Sequence, residues 1–234
     1  MKIAIFGCSW SYGVPRSWHQ KITTTEKRPS IPKEDFVCWP RELGKLNPDW
    51  QIVSYAIPGS NMLFSCSALD YALENEEYDL HIFQATTPYR FTYWKDDTFT
   101  NAKFKAFEPN VMAGSKENLE NITIVNIHNG RNNVDQSNLT WRENGIETAF
   151  VKNYYRRVSN SMFESEYRIL CNWAKSKSDI FFSHLDYDFL NCDSIEGTLG
   201  KNKFNEYTVD NGSHFGIAGA RWQAKWMQDK INTL

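Results

Sequence analysis

The feature that most constrains this chain is a series of short apolar runs that carry no polar face. The first, KIAIF at residues 2–6, mixes β-branched and aromatic residues without alternation. A strand of this kind must be covered on both sides, as in a parallel sheet clad by helices. Runs of similar character recur as QIVSYAI at 51–57, DLHIFQAT at 79–86 and DIFFSHLD at 179–186. Helical spacing lies between them. Phe36, Trp39, Leu43 and Leu46 predict a helix over 35–46, with Asp35 as N-cap and Pro40 tolerated in the first turn. Ser60 can cap a helix running to about residue 75, with Met62, Cys66, Leu69 and Leu73 as its apolar stripe.

Further along, residues 149–175 carry a stripe of Val151, Tyr155, Val158, Met162, Ile169 and Trp173. A final helix over 216–231 turns Ile217, Ala220, Ala224, Met227 and Ile231 inward, whereas 187–209 shows no period and reads as irregular. Strand, helix, strand, helix, strand is the pattern of an α/β fold. The expected architecture is a three-layer α/β/α sandwich on a flavodoxin-like doubly wound parallel sheet. At 234 residues the chain suits one domain over 1–234. Residues 88–148 exceed what that fold needs. PYRFTYW at 88–94, NITIVNI at 121–127 and the Asn129-Gly130 turn signal predict a β-rich insertion after the third strand.

Bulk properties narrow the function. A net charge of -2 gives no reason to expect nucleic acid or an anionic membrane as partner. No run approaches the roughly 20 apolar residues of a membrane span. The cysteines at 8, 38, 66, 171 and 192 have neither Cys-x-x-Cys nor zinc spacing, and their odd number suits reduced thiols. The first residues are too soon interrupted for a secretion signal, so the expectation is a soluble, cytoplasmic protein with no cofactor and no metal. His19, in the Pro-rich stretch 14–34, and Arg156-Arg157 read as solvated groups, and His81 as a core or sheet-edge histidine.

The first apolar run ends at Gly7-Cys8-Ser9-Trp10-Ser11-Tyr12-Gly13, where two glycines bracket two serines. Ligands of open α/β sheets bind beyond the carboxyl ends of the strands, which makes this loop the natural place for chemistry. Three readings fit it. It is a plain turn, or an anion cradle of amides and hydroxyls, or a nucleophile loop in which Ser9 takes a histidine from elsewhere.

Three blocks carry a family resemblance. Gly7-Cys8-Ser9-Trp10-Ser11-Tyr12-Gly13 resembles the Gly-Asp-Ser block that opens the SGNH (GDSL-like) hydrolases. Trp39-Pro40-x-x-Leu43, then Ala56-x-Pro58-Gly59 and Asn61, resembles their second block, and Asn211-Gly212-Ser213-His214-Phe215 their Asp-Gly-x-His block. The likeness extends over 1–87 and 205–234 and marks a divergent member. It implies Ser9 as nucleophile, His214 as its base and Asp210 or Asn211 as the third member. It also implies an oxyanion hole from the Ser9 and Gly59 amides with Asn61 or Thr86. Two departures stand out. The third block, Gly-x-Asn-Asp in the family, is Gln84-Ala85-Thr86-Thr87 here, and Asn211 stands where the aspartate belongs.

The resemblance thus implies a serine esterase for a small-molecule or carbohydrate ester, with Trp10, Tyr89 and Arg90 as substrate contacts and acetyl as one acyl group it would remove. Two other readings stay open. One is a catalytically weak or inactive module that binds carbohydrate or serves a structural role. The other is a flavodoxin-like phosphate or nucleotide binder. His184, near the end of its strand, is a further site candidate.

Overall fold

The computed structural model describes residues 1–15, 36–56, 60–86, 90–94, 122–126, 160–209 and 214–234. Its centre is a five-stranded sheet built from β1 (Lys2–Phe6), β4 (Gln51–Ser54), β5 (Leu80–Ala85), β8 (Ile180–Ser183) and β9 (Asp193–Ser194). The spatial order is β4-β1-β5-β8-β9, and every pair is parallel. Numbered within the sheet, that is the 2-1-3-4-5 order of a doubly wound fold. Its switch point lies between β1 and β5, directly beneath the loop that carries Ser9.

Alternation along β1 divides the core. Ile3 and Ile5 point to one face, where they pack with Trp39 and Leu43 of α2 (Trp39–Leu46) and with Ala224, Met227 and Ile231 of α7 (Ile217–Ile231). Ala4 and Phe6 point to the other face. There they meet Met62, Cys66 and Leu69 of α3 (Met62–Asn75) and Tyr167, Cys171 and Ala174 of α4 (Asn160–Lys177). All four of these β1 residues are fully buried, which is why the run has no polar face. The result is the expected three-layer α/β/α sandwich. Glu42 ties the α2–α7 seam, accepting from Arg221 Nε at 3.2 Å.

Several elements differ from the sequence expectation, each for a visible reason. The helix predicted over 35–46 begins at Trp39. Phe36–Val37 instead form β3, paired antiparallel with β2 (Val14–Pro15). The N-cap of α2 is Cys38, Pro40 falls harmlessly in the first turn, and Leu46 is exposed. Asp35 and His19 lie outside the described residues. The cap of α3 is Asn61, whose Oδ1 accepts from Phe64 N at 2.9 Å. Ser60 is occupied elsewhere, and Leu73 at the end of the stripe is exposed. In α4 the fully buried face is Tyr167, Cys171 and Ala174, with Leu170 and the expected Trp173 partly buried against the same cluster, while Ile169 is 69% exposed. The spacing 167, 171, 174 is as helical as the aliphatic one, but it is made of an aromatic, a thiol and an alanine, which a search for large aliphatics overlooks. Val151, Tyr155, Val158 and the Arg156-Arg157 pair lie outside the described residues.

Residues 187–192 are irregular as expected, but 193–209 are not. They hold β9, α5 (Ile195–Leu199), α6 (Lys201–Tyr207) and β10 (Thr208–Val209). Ser194 caps α5 through Gly197 N at 3.0 Å, and Ile195 and Phe204 anchor the short helices in the core. These elements are too short for a periodic signal. Within the insertion, β6 (Arg90–Trp94) and β7 (Ile122–Asn126) form an antiparallel pair of their own, and the rest of 88–148 lies outside the described residues. β11 (His214–Phe215) pairs with β10 just before α7.

Gly13 closes the Ser9 loop with φ +96°, and a Cβ there would stand 2.7 Å from Val37 O. Gly13→Ala is therefore expected to cost about 2 kcal/mol in chemical denaturation, the scale of a strained left-handed non-glycine residue.

Candidate functional site

The site is built where β1 ends. Gly7 lets the chain pass close to β5, since a Cβ on it would lie 2.8 Å from Gln84 Oε1. Cys8 then caps a single turn, α1 (Ser9–Tyr12), whose carbonyl at position 8 accepts from the Ser11 and Tyr12 amides. Gly13 N closes the turn on Ser9 O at 2.8 Å. The Ser9 and Trp10 amides open this turn and so have no acceptor within it.

Four polar contacts fix the loop from below. Ser11 Oγ donates to Gln84 Oε1 at 2.5 Å and accepts from Trp39 Nε1 at 3.1 Å. Gln84 Nε2 reaches Cys8 Sγ at 3.5 Å. Ser60 Oγ donates to the Gly7 carbonyl at 2.8 Å. All of these groups are buried, so each bond also removes the cost of a dry, unpaired polar atom. Gln84, Ser11 and Trp39 were not expected at the site. Gln84 did leave a sequence signal, since it is the one amide in an otherwise apolar end of a strand covered on both faces.

His214 comes from the far end of the chain. β11 places its Nε2 2.9 Å from Ser9 Oγ. For Nε2 to accept the serine proton, the ring must be the tautomer protonated at Nδ1. Beside the pair lies a cavity of about 10 Å³, lined by Ser9, Trp10, Cys38, Trp39, His214 and Gln223 among others, a space for about one water. The Cys38 thiol is pushed up to about 11, first by burial, so it stays protonated at neutral pH and offers no competing nucleophile.

The other expected site residues fall into three groups. Asn61 is at the site edge with its Oδ1 committed to capping α3, which leaves Nδ2 as its available donor. Thr86, one residue past β5, is 1% exposed; Tyr167 OH donates to its carbonyl, and its Oγ1 has no partner among the described residues. Trp10 is half-buried and packed rather than open. Its ring lies 4.1 Å from that of His184, 5.7 Å from that of His214, and edge-on to Phe215 at 5.2 Å. Arg90 opens β6. Gly59, Tyr89, Asp210 and Asn211 lie outside the described residues.

His184 follows β8, close to the carboxyl edge of the sheet, 3% exposed, with Nε2 3.1 Å from Gln223 Oε1 of α7. Burial drives its pKa down to about 3, against the bond to Gln223, which raises it, and with the nearby His214 adding to the fall. His81, by contrast, sits at the opposite edge of the sheet, 3.4 Å from Asp179 through Nδ1. No protein-family model matches the chain, and no curated protein matches it.

Because the folded pKa of His184 lies below its unfolded value of 6.5, the unfolded chain binds a proton that the native one refuses. Stability is then full above about pH 6.5 and falls as pH drops toward 3, by roughly 1 kcal/mol per pH unit. His184→Gln should flatten that acid slope between pH 6 and 4 in urea titrations.

Proposed function

We propose that the protein is a serine esterase of SGNH type, acting on short acyl esters and in particular on acetyl groups carried by a carbohydrate. The observation that carries this reading is the 2.9 Å contact between Ser9 Oγ and His214 Nε2. It is made at the switch point of the sheet, on a loop whose supports are rigid and buried. Serine is a weak nucleophile until a base takes its proton, and histidine does this near neutral pH. Ser9 Oγ attacks the acyl carbon as His214 takes the proton. The Ser9 amide, with Gly59 and one of Asn61 or Thr86, steadies the oxyanion, and His214 returns the proton to the departing alcohol. Water then repeats the sequence on the acyl-serine. The third role falls to Asp210 or Asn211, and the substrate contacts to Trp10, Tyr89 and Arg90.

The anion-cradle reading is less well supported. Ser9 Oγ is taken by His214, Ser11 Oγ by Gln84 and Trp39, and the Ser11, Tyr12 and Gly13 amides by the loop's own carbonyls. Few donors are left to converge on a phosphate. A binding module without turnover gains support from Asn61, whose Oδ1 is held by the cap and whose amide must serve the oxyanion from that fixed pose.

A fluorophosphonate probe should label the protein at Ser9, not at all in Ser9→Ala, and about 10²–10⁴-fold more slowly in His214→Ala. Asn211→Asp should raise turnover of p-nitrophenyl acetate if position 211 backs the histidine. If Asp210→Ala loses most activity while Asn211→Asp is neutral, the role belongs to Asp210. A folded protein that neither labels nor turns over would leave the non-catalytic module as the better reading.

A further inference from the structure

Behind the Ser9–His214 contact lies a second set of buried groups that the proposed chemistry does not use. Gln223 of α7 is 1% exposed, and its Oε1 holds His184 Nε2 at 3.1 Å. The bond defines His184 as a donor at Nε2. Its ring is laid against Trp10, with the two centroids 4.1 Å apart and the planes tilted by 33°. Trp10 is the chain neighbour of Ser9, and its ring is also 5.7 Å from that of His214. Phe204 and Phe215 close the remaining sides of the indole, at 5.8 and 5.2 Å. A buried amide, a buried imidazole and an indole thus form a continuous chain from α7 to the residue beside the serine.

We propose that Gln223 and His184 are positioning residues for the Ser9–His214 pair, acting through the Trp10 indole that they hold against the His214 ring. An imidazole that must meet a serine oxygen at 2.9 Å and later turn its proton to a leaving group needs its plane fixed. Packing alone would let the indole settle in more than one pose, because apolar contacts are not directional. The hydrogen bond from His184 to Gln223 supplies the missing direction, and desolvation keeps the His184 ring neutral so that it does not oppose a cation on His214. The polar atoms left over, His184 Nδ1 and Gln223 Nε2, are buried without a partner among the described residues. A site selected for stability alone would have filled these positions with apolar side chains of the same size.

The kinetic arm of the test rests on the esterase reading, and the spectroscopic arm does not. Gln223→Met keeps the bulk and removes the acceptor. It should lower kcat on p-nitrophenyl acetate about tenfold while KM stays within twofold. In a Trp10→Phe background the same substitution should change kcat by less than twofold, because the path it acts through is already broken. An unchanged kcat, or the same tenfold loss in both backgrounds, overturns the proposal. If the wild-type protein has no esterase activity, the proposed function fails, and the histidine-ring NMR resonances of labelled protein, assigned with His214→Ala, decide the clamp alone. A shift of the His214 signal in Gln223→Met that vanishes in the Trp10→Phe background supports it, and an unmoved signal overturns it. Should Gln223→Met not fold, His184→Phe takes its place, since it keeps a ring against Trp10 but loses the bond to Gln223.

Discussion

Everything at the site depends on a strand that is buried on both faces. Because Ile3 and Ile5 are claimed by one helical layer and Ala4 and Phe6 by the other, β1 cannot slide by one residue without exchanging the two sets. Its parallel register with β4 and β5 is therefore fixed, and with it the height at which Gly7 leaves the sheet. The loop above inherits that precision. Ser11 then finds Gln84 on a neighbouring strand and Trp39 on the covering helix, so the sheet and one of its two helical layers are tied to one hydroxyl. Catalytic groups placed on loops need this kind of scaffold, since an error of about 1 Å is costly in rate.

The main lines of this arrangement were legible in the residues. An unbroken apolar run such as KIAIF signals two-sided burial, and four such runs separated by helical spacing leave few topologies open. The bracketed Ser9 loop and the Ser213-His214 stretch before the final helix pointed to each other because the topology returns that helix to the same edge. What escaped notice is equally physical. Tyr167, Cys171 and Ala174 make a helix face without a large aliphatic among them. Phe36 fits a helical period yet pairs as a strand, because the partner that decides its conformation is Pro15, distant in sequence. Short elements such as α5 and β9 are set by a cap and a neighbour rather than by any period of their own.

The polar supports of the site were the hardest to anticipate. Gln84 is the one amide near the end of a strand that is otherwise apolar there. Its side chain is directed to Ser11 and Cys8, beneath the loop. In three dimensions the amide is a brace for the loop. Gln223 is similar. It lies among Ala220, Ala224 and Met227 on a helix that otherwise packs apolar residues inward, and its contact with His184 and its place in the cavity beside Ser9 give it a reason to be there. Buried amides in apolar surroundings are costly unless paired, so their presence points to a task that packing does not explain.

The serine and the histidine stand 205 residues apart in the chain. Their meeting is a long-range contact, and the entropy of closing so long a loop must be met before that contact can help. During synthesis the loop at Ser9 has its amide brace only once β5 follows, and His214 comes only after all five strands of the sheet. A nascent or truncated chain carries Ser9 without its hydrogen-bond partner. Any reaction at Ser9 would thus serve as a reporter that the whole sandwich has closed.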